Sequence, residues 1–517
     1  MSKVKLLTWT DASKTVKISL PMKEIELKQT RSLFARLLII ARTREELDLQ
    51  DLIGHYEFSC VPRSLFASDG SLLPCTDKSK LMALLESLGT DETEHSDENM
   101  EQDQQTGDPQ IENSDNPSQM TSDKRDTVDP QSTRLGTSEK AIILDGMAVV
   151  HELSGQQIRT CLEIAQAFIK AIDSKSQNYT LVHIVFDRYD IAKSLKTRTR
   201  NHRQGKQGAC CKYDVSDKTQ FNIPLNHFLS NSDNKDQLAT YLAKKLLHFY
   251  RDSTKSVIVA TKDGAASNGA AVDHLHSNHE EADTLLILHA ISASRLMSNV
   301  HIMTPDTDVF VLALQKLHLM SNKVSMLVGT GSTRRLVKLQ PIHQALDENL
   351  AAGIVGFHAF TGSDTTGRIA GKGKQTCWKL FKKANKDILK AFAQLGQTLF
   401  PSTEVIQGLE EFVCSLFEPR MNIKDLGHLR WHLFKRNKAE AEKLPPTKAA
   451  LKEHILRAHY QAMIWLLADT ANPNLPSPTN YGWDEEDSQY VPRVSDLPPA
   501  PTAVVELVKC GCGKSRC

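Results

Sequence analysis

The sequence VHIMTPDTDVFVLALQ, residues 300–315, consists of a short apolar run, two closely spaced aspartates and a second, longer apolar run. Four other short runs rich in β-branched residues occur in the chain: AIILD (141–145), LVHIVFD (181–187), SVIVAT (256–261) and VSMLV (324–328). Helical patterns lie between them, at 156–173, 233–251 and 280–297. Alternating strands and helices are typical of a mostly parallel sheet with helices on both faces, so we expect an α/β fold.

Acidic residues follow three of these five runs. Asp145 ends the first run, Asp187 ends the second, and Asp306 and Asp308 follow the fourth. Ligands of parallel α/β sheets bind at the carboxyl ends of the strands, so we expect these side chains to meet at one edge of the sheet. Negative charges gathered at such an edge indicate that something positive binds there.

Three further acids can join this edge. Glu281 and Asp283 lie in HEEADTLLILHA, where acids in a first helical turn can also serve only to stabilise the helix dipole. Asp364 lies in FTGSDTTGRIAGKGK, where the alternative is a simple Asx-turn. Together the seven acids would repel one another in a low dielectric unless cations neutralise them. Oxygen ligands without His or Cys favour Mg²⁺ or Mn²⁺, and two such ions can promote phosphodiester cleavage by a two-metal mechanism.

Charge is unevenly distributed along the chain. The 517 residues include 63 Lys and Arg against 62 Asp and Glu, but segment 91–130 contains thirteen acids and only two bases. This segment has almost no large apolar residues and cannot bury enough surface to offset its chain entropy, so 91–137 is predicted to be an acidic disordered linker. The rest of the chain is therefore basic, which favours a polyanionic partner.

The linker separates units of different composition. Residues 1–90 are predicted to form a small N-terminal accessory unit, 138–390 the α/β core, 391–470 a helical C-terminal region, and 471–517 a Pro-rich tail. No apolar stretch reaches membrane-spanning length and no signal peptide is recognisable. We therefore expect an intracellular protein that does not contact a membrane.

The tail ends in a cysteine-rich motif, CGCGKSRC, with Cys510, Cys512 and Cys517. Its spacing suits thiolate coordination of zinc, but three thiolates leave a tetrahedral site one ligand short. The motif resembles the opening of the CXC motif of tesmin-like DNA-binding proteins. Zinc at these cysteines is thus a possible but incomplete site, whereas the other, scattered cysteines are expected to be reduced.

Two basic segments lie near the predicted acids. The first follows Asp187 and contains Arg188, Lys193, Lys196, Arg198, Arg200 and Arg203. It is either a solvated basic helix face or, from its position, a phosphate-binding surface whose affinity falls with salt. The second consists of Gly371, Lys372, Gly373 and Lys374, which can form a plain turn or offer backbone amides to a phosphate at a helix N-terminus. It does not match a P-loop.

In order, the motifs ILDG, VFD, EEAD, PDTD, GSD and GKGK resemble those of the PIN-like nucleases of the flap-endonuclease (XPG) group. The resemblance covers residues 138–390 and implies a PIN-like sheet, a basic arch after Asp187 and a helix-two-turn-helix at GKGK. It also implies seven metal-binding and catalytic acids: Asp145, Asp187, Glu281, Asp283, Asp306, Asp308 and Asp364. The whole chain resembles a multi-copy animal family associated with mobile elements. Because of the nuclease resemblance, we place the protein in the nucleus rather than the cytoplasm.

This chain departs from the nuclease pattern at several positions. Asp283 stands where these nucleases usually have Glu, Thr365 replaces an aromatic residue, and Arg188 replaces a glycine. Two hypotheses follow. The first is a Mg²⁺-dependent endonuclease acting on nucleic acid, DNA rather than RNA. The alternative is a catalytically inactive PIN-like protein that binds nucleic acid or serves as a scaffold.

Overall fold

The computed structural model describes most of the α/β core and the helical region. The described residues are 15–20, 23–28, 48–59, 61–101, 139–189, 191, 193–197, 210–269, 271–320, 323–329, 331–437 and 444–501. In 15–28 and 90–101 only the backbone is described. Most of the predicted linker, the basic residues Arg198, Arg200 and Arg203, and the three cysteines of the terminal motif lie outside these ranges.

The N-terminal part begins with an antiparallel hairpin of β1 (Thr15–Leu20) and β2 (Lys23–Lys28). Helix α1 (Leu49–His55) follows, with Asp48 as its N-cap, and then the long helix α2 (Lys78–Glu101). Residues 91–101 of the predicted linker thus continue α2.

The core is a seven-stranded sheet in the order β6-β5-β4-β3-β7-β8-β9. Its strands are β3 (Lys140–Asp145), β4 (Leu181–Val185), β5 (Ser256–Thr261), β6 (Gly264–Ser267), β7 (Asn299–Met303), β8 (Lys323–Val328) and β9 (Arg335–Lys338). The five inner strands are parallel, and the edge strands β6 and β9 are antiparallel to their neighbours. The inner strands are the five runs predicted from the sequence, and the mostly parallel sheet is confirmed.

Helices cover both faces of this sheet, because successive side chains of each strand point to opposite sides. On the first face Ile142 and Leu144 pack with α3 (Gly146–Glu152), α4 (Cys161–Lys175), α5 (Leu225–Phe228) and α6 (Ser232–Phe249). On the second, Ala141 and Ile143 pack with α7 (Ala282–Ser294), α8 (Thr307–Gln315), α9 (Leu339–Ala345) and α10 (Glu348–Phe360).

A helical region follows from Lys374 onward, before the predicted boundary at 391, and it packs against the second face of the core. It consists of α11 (Lys374–Phe381), α12 (Lys386–Gln394), α13 (Thr403–Phe417), α14 (Leu426–Asn437) and α15 (Lys448–Leu466). Part of the Pro-rich tail forms an antiparallel hairpin of β10 (Trp483–Glu486) and β11 (Gln489–Pro492). The buried Arg457 of α15 holds it by donating to the carbonyls of Gly482 and Arg493, at 3.0 and 2.8 Å.

The N-terminal segment 48–89 packs on the core and on the helical region. Arg430 of α14 is fully buried and donates to the carbonyls of Ile53 and Tyr56, both at 2.9 Å. The Arg368 and Ala370 amides donate to the carbonyls of Leu73 and Ser64, at 2.9 and 2.8 Å. The segment is therefore built into the folded body. No helix in the part of the chain that the structure describes has both the length and the apolarity needed to cross a bilayer.

Candidate active site

The first two acids stand where inner strands end. Asp145 is the last residue of β3 and the N-cap of α3, and its carboxylate accepts from the Ala148 amide at 2.9 Å. Asp187 follows β4, and its carboxylate accepts from the Tyr189 hydroxyl at 3.0 Å and from the Ala282 amide at 2.7 Å. The helix cap at Asp145 and the two hydrogen bonds to Asp187 thus fix both side chains at the carboxyl edge of the sheet.

A cleft of about 600 Å³ opens at this edge. The predicted acids that line it are Asp145, Asp187, Asp283, Asp306 and Asp364, and Glu152, Lys196 and Lys235 line it too. Five of the seven predicted acids therefore share one cleft. The other two, Glu281 and Asp308, are buried and pair with lysines that also contact the cleft acids.

The acids after β7 form the tightest cluster. Asp306 is the N-cap of α8 and accepts from the Asp308 amide at 2.9 Å. Carboxylate oxygens of Asp283, Asp306 and Asp308 lie within 4.8 Å of one another. An all-oxygen donor set at this spacing fits a hard divalent cation such as Mg²⁺ or Mn²⁺.

A lysine from the N-terminal segment reaches into this cluster. Lys78, the first residue of α2, places its Nζ 3.0 Å from Asp308, 3.1 Å from Asp364 and 3.9 Å from Asp306. Its side chain is only 17% exposed. Three of the predicted metal ligands therefore already have a positive partner that the sequence analysis did not identify.

A second lysine neutralises the acids of α7. Lys196, predicted to bind phosphate, places its Nζ 3.1 Å from Glu281 and 3.5 Å from Asp283. Glu281 is the N-cap residue of α7 but forms no side-chain capping bond, and its contact with Lys196 is an ion pair without hydrogen-bond geometry. The simpler alternative for these two acids, a helix N-terminus alone, thus does not account for their surroundings.

Burial and mutual repulsion alter the proton affinity of the acids. Burial, and then the charges of Asp187 and Asp306, raise the pKa of Asp145 to about 7. Burial raises the pKa of Glu281 to about 7 although Lys196 opposes it. Burial alone would also raise the pKa of Asp308, but Lys78 and His358 hold it well below its usual range.

Asp308 ends a buried hydrogen-bonded chain. His358 of α10 donates from Nε2 to Asp308 at 2.9 Å, and its Nδ1 accepts from the Lys374 ammonium at 2.9 Å. Lys374 also donates to the Thr361 hydroxyl and the His358 carbonyl, both at 2.8 Å. Burial, and then the charge of Lys374, lower the pKa of His358 to about 4, so this ring is neutral and fixed as one tautomer.

The predicted phosphate turn is engaged by the protein itself. The carboxylate of Asp77 accepts from the Lys374 amide at 2.9 Å, at the N-terminus of α11, and a Cβ at Gly373 would lie 2.5 Å from it. Lys374 is fully buried, and the Lys372 ammonium donates to the Leu416 carbonyl at 2.8 Å. This geometry argues against phosphate binding by Lys374 and its amide, because both are already bonded inside the protein.

Comparison with protein-family models and with curated proteins finds no match. Among solved structures, the chain is similar to the T5 D15 protein co-crystallised with metal ions, at 13% identity and a TM-score of 0.32, over 64% of this chain and 91% of that chain. It is also similar to the bacteriophage T5 D15 flap endonuclease with DNA and metal ions, at 11% identity and a TM-score of 0.31, over the same shares. The catalytic core of Rad2 in complex with DNA substrate follows at 14% identity and a TM-score of 0.28, over 59% and 91%.

With TM-scores below 0.5, the chemistry of this chain has to be argued from its own site.

Two other residues of the first basic segment, Arg188 and Lys193, also contact groups of the protein itself. The Arg188 amide donates to the Glu280 carbonyl at 3.0 Å, and Lys193 pairs with Glu485 of the β10–β11 hairpin.

No sequence signal marks Lys78 as part of the site, because it is the first residue of an ordinary helix far from the motifs. His358 carries a weak signal, as a polar ring within the apolar sequence GFHAF.

Proposed function

We propose that the chain is a metal-dependent nuclease that hydrolyses phosphodiester bonds of nucleic acid. The observation that carries the proposal is the convergence of Asp145, Asp187, Asp283, Asp306 and Asp364 on one open cleft at the carboxyl edge of the sheet. Acids from five separate segments meet there, and a cleft of this size admits a backbone phosphate. A donor set of carboxylate oxygens favours Mg²⁺ or Mn²⁺ over zinc.

Asp145 and Asp187 are the strongest candidate ligands. Among the described residues, no lysine or arginine forms an ion pair with either of them, whereas Lys78 and Lys196 pair with the deeper acids. A divalent ion bound there supplies a Lewis acid for the phosphate and lowers the pKa of water. The hydrogen bonds from Tyr189 and Ala282 orient Asp187 toward that position.

The nucleic-acid strand would be held mainly by charge. The basic segment that begins at Arg188 borders the cleft through Lys196, and its continuation carries further arginines in the sequence. DNA rather than RNA as the substrate, a nuclear location and an association with mobile elements belong to the same proposal, on the motif resemblance alone.

The test compares cleavage of labelled flap, hairpin and single-stranded substrates with and without Mg²⁺ or Mn²⁺. An Asp187→Asn variant keeps the shape of the side chain and removes its charge. Because even the indirect partners of a bound metal are worth roughly 10- to 100-fold in activity, we expect a loss of at least about 100-fold. Asp217→Asn is the matched control, since that exposed aspartate pairs with Lys245 and does not line the cleft. Equal cleavage by wild type and Asp187→Asn would refute the site.

A second candidate is a catalytically inactive protein that binds nucleic acid. It is favoured by one observation: Lys78 and Lys196 place ammonium groups among acids that metal ions would otherwise neutralise. Under this alternative, the wild-type protein binds the labelled substrates with salt-dependent affinity but cuts none of them at any metal concentration. The same assay therefore separates the two functions.

A further inference from the structure

We propose that Lys78 is a permanent member of the catalytic centre that takes the place of one of the two cations predicted from the sequence, so that the cleft binds a single divalent ion. The inference rests on the proposed nuclease function and specifies its metal requirement. Lys78 is thereby a positioning residue, which acts on the reaction through the carboxylates that it holds.

The first argument is the space that the ammonium fills. Lys78 Nζ lies 3.0 Å from Asp308 and 3.1 Å from Asp364. A Mg²⁺ ion shared by the same carboxylates would need oxygens at about 2.1 Å and would have to lie between them, where the ammonium is. The lysine and an ion cannot both occupy this position. Asp308 is only 2% exposed and also accepts from His358, so it has little freedom to turn toward another cation.

The second argument is that the surrounding protein holds Lys78 firmly. The preceding residue, Asp77, accepts from the Lys374 amide, and Leu81 and Leu85 of the same helix are fully buried. About two turns after Lys78, Glu86 forms a bidentate pair with Arg335, at 2.7 and 2.9 Å. These contacts fix the start of α2, and three carboxylates hold the largely buried ammonium, so Lys78 is a fixed constituent of the site and not a removable plug.

The third argument concerns the acids that Lys78 does not neutralise. Lys78 contacts Asp306, Asp308 and Asp364, on the inner side of the cluster. Asp145 and Asp187 form no ion pair with a described lysine or arginine. Their side of the cleft is therefore where a single divalent ion would bind, with Asp306 between the two cations because it contacts Lys78 and also lines the cleft beside Asp145 and Asp187.

The test counts bound Mn²⁺ by electron paramagnetic resonance, which measures the free ion during a titration of the full-length protein. We expect one Mn²⁺ per wild-type chain, without the spectrum of a spin-coupled pair, and two per chain in Lys78→Ala, where the space and the acids are released. Lys80→Met is the matched control, because Lys80 is exposed on the same helix and should leave the count at one.

The outcomes separate this inference from the function on which it rests. Two Mn²⁺ ions in the wild-type chain, with cleavage, would overturn the role of Lys78 and leave the nuclease proposal intact. A folded Lys78→Ala that still binds one ion would do the same. Absence of both Mn²⁺ binding and cleavage in the wild type would overturn the nuclease proposal and the inference with it. The wild-type count decides the question even if Lys78→Ala does not fold.

Discussion

Replacing Arg430 with methionine should strongly destabilise the protein by detaching the N-terminal segment. The guanidinium is fully buried and donates to the carbonyls of Ile53, Tyr56 and Pro445, with Glu57 3.5 Å away. Each hydrogen bond to a charged group is worth about 1.5–3 kcal/mol, and removal leaves three carbonyls and one carboxylate without this donor. The variant no longer has to bury a guanidinium, which offsets part of that loss. Removing one partner of a buried pair costs about 3–5 kcal/mol, and this is the expected decrease in the free energy of unfolding.

Urea denaturation measures the decrease, and limited proteolysis locates it. The Arg430→Met variant should be cleaved within 48–89 before the core, because α1 is held to α14 through this side chain. Lys452→Met is the matched control: its pair with Asp496 is 2.9 Å long, but the two side chains are 50% and 43% exposed. Such a pair is worth less than about 1 kcal/mol. A decrease of this smaller size in Arg430→Met, with 48–89 still protected, would refute the reasoning.

Two further predictions concern a crowded turn and a buried ring. Gly396 has a φ of +85°, and a Cβ there would lie 2.5 Å from the Met463 nitrogen, so Gly396→Ala should lower the free energy of unfolding by about 3 kcal/mol. Gly371 has a φ of +68° but no atom near a Cβ, so Gly371→Ala should lower the free energy of unfolding by only about 1 kcal/mol. Equal decreases for the two variants in denaturant titrations would contradict a steric clash at Gly396. Burial lowers the pKa of His289 to about 3, so the unfolded chain binds a proton that the folded chain excludes. The free energy of unfolding should therefore decrease as the pH is lowered from about 6.5 to about 3, by up to about 1.4 kcal/mol per pH unit. His289→Asn should lose this share of the pH dependence between urea titrations at pH 6.5 and 4.5, and an unchanged dependence would refute the assignment.

The sheet could be predicted because each inner strand is recognisable from a short run of consecutive residues. Continuous apolar runs such as 141–144 are buried on both faces, and this pattern is typical of inner parallel strands. Once the strands are parallel, the residues that follow them must share an edge, so the convergence of Asp145, Asp187 and Asp306 followed from order alone. The short edge strands β6 and β9 were missed, because each has only four residues and pairs with a neighbour in the sequence.

The contacts that complete the site could not be predicted in this way. Lys78 and Asp308 are 230 positions apart, and nothing in the first turn of α2 distinguishes this lysine from Lys80. In the GKGK segment the sequence indicated an anion site but not which anion occupies it. A glycine-flanked helix N-terminus binds an anion, but its sequence does not say whether the anion is a phosphate or a carboxylate of the protein. Here Asp77 provides the carboxylate, and it belongs to a segment that was predicted to be a separate unit.

The two lysines change what the acidic cluster requires. Seven acids at one sheet edge appeared to need metal ions for the fold to tolerate their repulsion. Lys78 and Lys196 contact five of them, namely Asp306, Asp308, Asp364, Glu281 and Asp283. The raised pKa of Asp145, about 7, further lets that residue hold a proton. The protein can therefore neutralise the inner acids with its own cations, so folding of this part of the site does not require the divalent ion of the proposed function.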